Sequence, residues 1–269
     1  MKKISPPSMK ILFSASPCLR VSASIFLGLS LLITPAAIAG YNPPADQKPP
    51  PDDYSDGGNA GSRGGCEGDG TSLAALDTST QGIPLTLLAP QSHVGKTVAT
   101  RPTFAWFVPD STSKPMEFRI YEYNSNGDIQ PIGEPISWQS SPGIIPFTLP
   151  KEGPDLKVGH TYMWQVTILC NPNNPSNDLI ARGYLEVVEV PADWENLLLD
   201  RSTASDFYAA AGLWYDALGA ALKLAEESRL GEFGSTRLEE LAELEAVGLT
   251  QEDEEYQRIE DLRQIAVGM

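Results

Sequence analysis

Ser62 lies in Ala60-Gly61-Ser62-Arg63-Gly64, the small-x-Ser-x-Gly spacing with which serine hydrolases expose a nucleophile. That chemistry needs a strand before the serine and a helix after it, whereas this stretch sits inside a glycine-rich tract. The same glycines lack the following Lys that a phosphate cradle uses. His93 and His160 flank different strands, with no Glu or His at metal spacing beside either, and His160 reads as structural. Gly65-Cys66-Glu67-Gly68-Asp69-Gly70 and Asn171 to Asp178 are oxygen-rich loops. They match neither an EF-hand nor a Gly-Asp repeat, so they give no calcium assignment. Nothing singles out two of the 35 carboxylates for acid–base work. The residues therefore point to a non-enzyme, with no metal and no cofactor.

The chain that must position these groups has 269 residues and a net charge of −16, from 19 basic and 35 acidic side chains. That balance excludes a nucleic-acid binder, which needs clustered Lys and Arg. Lys2, Lys3, Lys10 and Arg20 precede an apolar run from Val21 to Ile33, then Ala37-Ile38-Ala39. This is the pattern of a signal peptide over residues 1–39, cleaved after Ala39 to leave Gly40 first. A membrane anchor is the alternative, but the apolar core is short for a span of about 20 residues. Cleavage removes four basic and no acidic residues, taking the charge to −20, and leaves no second membrane-length apolar stretch. It also removes Cys18, so Cys66 and Cys170 remain in an exported chain. One disulfide is the expectation in an oxidising compartment. The protein is expected in the periplasm or outside the cell.

Residues 40–62 hold five prolines and almost no large aliphatic side chain, which reads as a disordered linker. Over 63–190 the pattern becomes short alternating runs: Leu85–Ala89, Thr103–Val108, Glu117–Tyr123, Pro135–Trp138, Ile144–Leu149, Tyr162–Leu169 and Ile180–Val190. Asn126-Gly127 and Ser141-Pro142-Gly143 supply turns. Phe104, Trp106 and Val108 share one face, and Tyr162, Trp164, Val166 and Ile168 another. Strands at this spacing predict an all-β antiparallel sandwich. Leu156-Lys157-Val158-Gly159-His160-Thr161-Tyr162 resembles the tyrosine corner of immunoglobulin-like and fibronectin-III-like domains. Leu156, Gly159 and Tyr162 are its structural residues.

From 191 to 269 the period is helical, predicting an acidic α-helical hairpin region. Thr203 with Asp206 suggests an N-cap, and Ala204 to Ser228 follows without proline. Gly212 either turns that stretch or merely interrupts it. Trp214, Leu218, Leu222 and Ala225 form one stripe, and Leu238, Leu241 and Leu244 a second. Thr236 with Glu239 reads as a capping box. Gly248 ends that helix, and Thr250 starts the last, in which Glu254 faces Arg258 at i,i+4. Tyr215 and Asp216 point away from the Trp214 stripe. Trp214, Tyr215 and Asp216 are thus the candidate partner surface, or they fix the hairpin to the sandwich.

Four segments taken together are Gly61-Ser62-Arg63-Gly64-Gly65-Cys66, Arg101-Pro102-Thr103-Phe104-Ala105-Trp106-Phe107-Val108-Pro109, Cys170-Asn171-Pro172 and Gly212-Leu213-Trp214-Tyr215-Asp216-Ala217-Leu218. The group resembles a cyanobacterial family of exported proteins catalogued only as a domain of unknown function. The resemblance implies an exported envelope or extracellular protein with no assigned activity. The last segment also fits the G-x-[YW]-x-x-A-L stretch of a tetratricopeptide helix pair, but one unit makes no array. Three readings follow. The first is a non-catalytic interaction module docking an envelope or extracellular protein. The second is a carbohydrate- or wall-binding module, and the third an unrecognised enzyme.

Overall fold

The computed structural model describes residues 40–51, 66, 82–171, 173, 175–194, 201–226 and 229–268. Residues 1–39, where a signal peptide is expected, the tract 52–65 with Ser62, most of the Gly65–Gly70 loop and parts of the Asn171–Asp178 loop lie outside them. Among the described residues there are nine strands: β1 (Thr86–Leu87), β2 (Gly95–Thr97), β3 (Thr103–Val108), β4 (Pro115–Tyr123), β5 (Ile129–Pro131), β6 (Ile136–Gln139), β7 (Gly143–Thr148), β8 (Thr161–Ile168) and β9 (Leu179–Val187). Four helices follow: α1 (Arg201–Ala210), α2 (Trp214–Leu222), α3 (Gly231–Glu245) and α4 (Glu254–Gly268).

The strands make two sheets. One is β1-β3-β7; the other runs β2-β9-β8-β4-β5, with β6 also on β4. β5 and β6 share one edge of β4, pairing with Tyr121–Tyr123 and Pro115–Phe118 respectively. The β4–β5 hairpin forms at Asn126-Gly127 because Gly127 takes φ +86 and Asn124 Oδ1 accepts the amides of Asn126 and Asp128. Alternation then sends Phe104 and Trp106 of β3 against Phe118 of β4 and Trp164 of β8. Phe104 lies 5.0 Å from both Phe118 and Trp164 between ring centroids, and Trp106 lies 6.2 Å from Trp164. The molecule is mostly β-sheet, chiefly antiparallel, with four C-terminal helices.

Several expectations need correction. The pairing is not wholly antiparallel, because β2 runs parallel to β9 through Gly95↔Leu185 and Thr97↔Val187. The helical region is four helices rather than one hairpin. Gly212 is a true turn: its φ is +73, and a β-carbon there would lie 2.7 Å from the Asn42 carbonyl. Thr236 does not cap α3. That helix begins five residues earlier, where Leu230 is fully buried and Gly231 turns the chain at φ +64. Thr236 Oγ1 instead donates to the Glu232 carbonyl, the i−4 bond of a residue inside a helix. Nor does Thr250 start α4, which begins at Glu254; its amide and hydroxyl both donate to Asp253 in the turn just before that helix.

The composition change near residue 190 marks a change of secondary structure, not of core. One cluster of buried side chains runs from Phe104, Trp106 and Trp164 through Trp214 and Leu218 to Leu238, Leu241, Ile259 and Leu262. The linker reading of residues 40–62 fails over its first part. Tyr41 is buried, its ring edge-on to Trp214 at 5.0 Å. The Asn42 amide donates to Ala209 O, and the Val94 amide donates to Lys48 O. Residues 40–51 thus form a strap from α1 to the start of β2. One buried aromatic and a few backbone bonds hold a segment whose average composition has nothing else to bury.

Candidate functional site: polar groups between sheets and helices

Trp214, Tyr215 and Asp216 are not a surface. Trp214 and Tyr215 are fully buried, and each of the three side chains hydrogen-bonds within the protein. Trp214 Nε1 donates to Leu88 O at 2.9 Å. Tyr215 Oη accepts from Trp164 Nε1 at 2.9 Å and donates to Tyr184 O at 2.8 Å. Asp216 accepts the Val98 amide at 3.0 Å and also hydrogen-bonds Thr97. Burial pushes the Asp216 carboxyl up to about 6, while its bonds to Thr97 and Val98 pull in the opposite direction. Burial also raises the Tyr215 phenol, keeping it neutral. The side of α2 that points away from the other helices lies on the sheets.

Glycine makes that contact achievable. A β-carbon at Gly95 in β2 would sit 2.8 Å from Tyr215 Cε2, and one at Gly183 in β9 would sit 2.8 Å from Trp164 Nε1. Gly183 is directly opposite Trp164 in the β8–β9 register. Two glycines on neighbouring strands therefore leave room for the Trp164–Tyr215 pair.

A second polar chain connects the strap, the loop before β2 and α3. Tyr41 Oη is 2.9 Å from His93 Nε2, and Ser92 Oγ is 3.0 Å from His93 Nδ1 and 3.3 Å from Glu245 Oε1. Burial lowers the His93 pKa, so the ring is neutral at pH 7. A carboxylate only accepts, so Ser92 Oγ–H points to Glu245. His93 Nδ1–H then donates to Ser92 Oγ, and Tyr41 Oη–H donates to Nε2. The order is Tyr–His–Ser–Glu. In a hydrolytic triad the histidine stands between serine and acid; here the serine stands between histidine and acid, and the far histidine nitrogen faces a tyrosine. The acid is also committed elsewhere: Glu245 accepts the amides of Gln91 and Ser92 and pairs with Arg258. Arg258 reaches on to the carbonyls of Leu87 and Ala89. It spends its charge on Glu245 and on β1, not on the helical i,i+4 partner expected at Glu254, whose side chain lies outside the described residues. The arrangement can tie α3, α4, the strap and β1 together.

Cys66 and Cys170 are disulfide-bonded, with Cα atoms 5.1 Å apart across 104 positions of sequence. Asp110 accepts the Cys66 amide and Asp178 the Cys170 amide, each at 2.9 Å. Opening a loop of this size is expected to lower unfolding free energy by about 2–5 kcal/mol. Urea titration of the oxidised protein against a Cys66→Ser/Cys170→Ser variant measures this, and unchanged midpoints would refute it. At the corner, Tyr162 Oη accepts the Lys157 amide at 2.8 Å, Leu156 is buried, and Gly159 turns at φ +82. His160 contacts Glu122 at 2.6 Å, consistent with its structural reading. Among the described residues no three His, Cys, Asp or Glu side chains gather as metal ligands, and no helix is long and apolar enough to cross a membrane.

Sequence reasoning missed Tyr41, Ser92, Glu245 and Arg258, and noted His93 only as an isolated histidine. The one available signal was a large aromatic in a proline-rich stretch. Two sheets with helices packed on them, and polar groups sealed between, define a β-rich fold. The chain belongs to the family described as Domain of Unknown Function (DUF928), which matches residues 58–255. No curated protein matches the sequence. Among solved structures, Astrotactin-2, described as a vertebrate-specific, perforin-like membrane protein, aligns at 12% identity and a TM-score of 0.24. The alignment covers 73% of this chain and 38% of that one.

Proposed function

We propose that the chain is an exported, non-catalytic binding module of a cyanobacterial envelope or extracellular space. Its sheets are the counterpart of an immunoglobulin- or fibronectin-III-like sandwich, and its partner is an envelope or extracellular protein. Export is supported by the basic, apolar, Ala37-x-Ala39 opening, and the sandwich by the Tyr162–Lys157 corner bond. The likeness to exported cyanobacterial proteins in four segments supports the source. One observation carries the binding reading. The residues with chemical potential spend it inside the fold, while the outer face of the larger sheet carries partly exposed tyrosine and guanidinium groups, among which Arg119 pairs with Glu117 and Arg182 donates to Gln165. On β4, Met116, Phe118 and Ile120 face the core, so Arg119, Tyr121 and Tyr123 face outward. Register sets Tyr121 beside Met163 and Tyr184, and Arg119 beside Gln165 and Arg182.

The same face favours a second reading, a carbohydrate- or wall-binding module, because half-exposed tyrosines beside planar amide and guanidinium groups suit sugar rings. One experiment separates the two. Immobilised mature protein is challenged with envelope proteins and, separately, with purified wall polysaccharide, alongside an Arg119→Ala/Tyr121→Ala variant. A protein partner should be retained by the native chain and weakened about tenfold or more in the variant, at unchanged melting temperature. Retention of polysaccharide alone selects the glycan reading. Retention of neither overturns both.

A further inference from the structure

The strap begins at the residue that signal cleavage would expose, and its first contact is a carboxylate. The Tyr41 amide donates to Glu240 Oε2 at 2.9 Å. Glu240 Oε1 lies 3.6 Å from the position a β-carbon on Gly40 would take, so Gly40 lies beside this side chain. Glu240 projects from α3, where Arg237, almost wholly buried, reaches it at 2.9 Å and also reaches Asp206 of α1 at 3.2 Å. Glu243 adds a third acid to the surroundings of Glu240. Among these groups three acids stand against one guanidinium, which pairs with two of them.

We propose that Glu240 is the seat of the mature chain's α-ammonium group: removal of residues 1–39 frees the Gly40 amine to pair with Glu240, which fixes the strap across α1, α2 and the β2 edge. This rests on the export reading above. Peptide-bond hydrolysis after Ala39 consumes one water and leaves an Ala39 carboxylate on the leader and a protonated amine on Gly40. Before cleavage that nitrogen is a neutral amide; afterwards it carries a positive charge. Burial raises the Glu240 pKa, as expected for a carboxylate whose present partners do not fully offset its desolvation. The strap then extends the effect. Tyr41 is the first member of the Tyr41–His93–Ser92–Glu245 chain, Asn42 O passes over Gly212, and Lys48 pairs with Glu186 of β9. Processing therefore completes the seam between helices and sheets rather than merely releasing the protein.

The test uses secreted mature protein whose first residue is established by intact mass. An isolated α-amine titrates near 7.7–8.0. In the native protein the Gly40 amine, followed by NMR, is expected about one pH unit higher, and Glu240→Gln should return it to the ordinary range. The pairing is then present below the ordinary amine pKa and is lost as pH rises through the raised one. A Gly-Ser extension ahead of Gly40 should lower the melting temperature in the native background and leave that of Glu240→Gln almost unchanged. An ordinary amine pKa, or an equal effect of the extension in both backgrounds, overturns the proposal while leaving export intact. A mature N-terminus elsewhere than Gly40 overturns the cleavage reading, and this proposal with it.

Discussion

Replacing Tyr215 by alanine is expected to destabilise the protein by about 3–5 kcal/mol, the cost of emptying a large aromatic site in a core that cannot fully collapse. Tyr215→Phe, which keeps the ring, should cost about 1–3 kcal/mol, because it takes the hydroxyl partner from two buried groups. Those groups are the Trp164 Nε1–H, which donates to Tyr215 Oη, and the Tyr184 carbonyl, which accepts from it. The decisive measurement is a double-mutant cycle with Gly95. A β-carbon there meets Tyr215 Cε2 at 2.8 Å, so Gly95→Ala should be strongly destabilising in the native background. Once residue 215 is alanine the obstacle is gone, and the same change should cost little. Urea unfolding of the four proteins gives the coupling, and additive effects would show that the ring does not occupy this site. Gly183→Ala gives a parallel check through Trp164, whose Nε1 lies 2.8 Å from the added carbon.

The sequence showed the long strands well and the short ones poorly. β3 occupies Thr103–Val108 as expected, because its apolar run is unbroken and its flanks are proline-marked. β2 and β5 have three residues each, too few to display a period, and exist because β9 and β4 offer free edges. The sequence left open whether Tyr215 and Asp216 face a partner or fix the helices to the sheets, and the structure gives the second; the ambiguity has a definite reason. A helical wheel built on one apolar stripe assumes a single packing partner, but α2 has helices on one side and sheets on another. On such a helix, Tyr215 and Asp216 lie in a second interior. The Cys66–Cys170 pairing followed from counting the cysteines left once residues 1–39 are set aside as an expected leader, and it agrees with the bond present. The Tyr41–His93–Ser92–Glu245 chain could not be read from local spacing. It joins positions up to 204 residues apart through side chains that each look unremarkable in their own segment.

Asp216 should make stability depend on pH in a direction opposite to ordinary acid denaturation. Burial raises its carboxyl from 3.8 to about 6 in the folded protein. Between these values the folded chain binds a proton that the unfolded chain does not, so this group stabilises the fold in acid and loses that contribution as pH rises through about 6. The size is about 3 kcal/mol. His93 works the other way: its lowered pKa means that stability is present above the unfolded value of 6.5 and falls as pH drops through the folded value. The two partly offset each other, which is why the native curve alone is uninformative and a difference is needed. Asp216→Asn supplies it. The amide oxygen can still accept from the Val98 amide, and its NH2 can donate to Thr97 Oγ1. Lys223, at the end of α2, and Tyr208 of α1 also sense the Asp216 charge and are unchanged in the variant. Unfolding free energies of both proteins from pH 4 to pH 8 should therefore diverge by about 3 kcal/mol, with the native chain relatively weaker at the alkaline end. A difference that stays constant across the range would show that Asp216 titrates normally and that burial of α2 against β2 is looser than the Val98 and Tyr215 bonds imply.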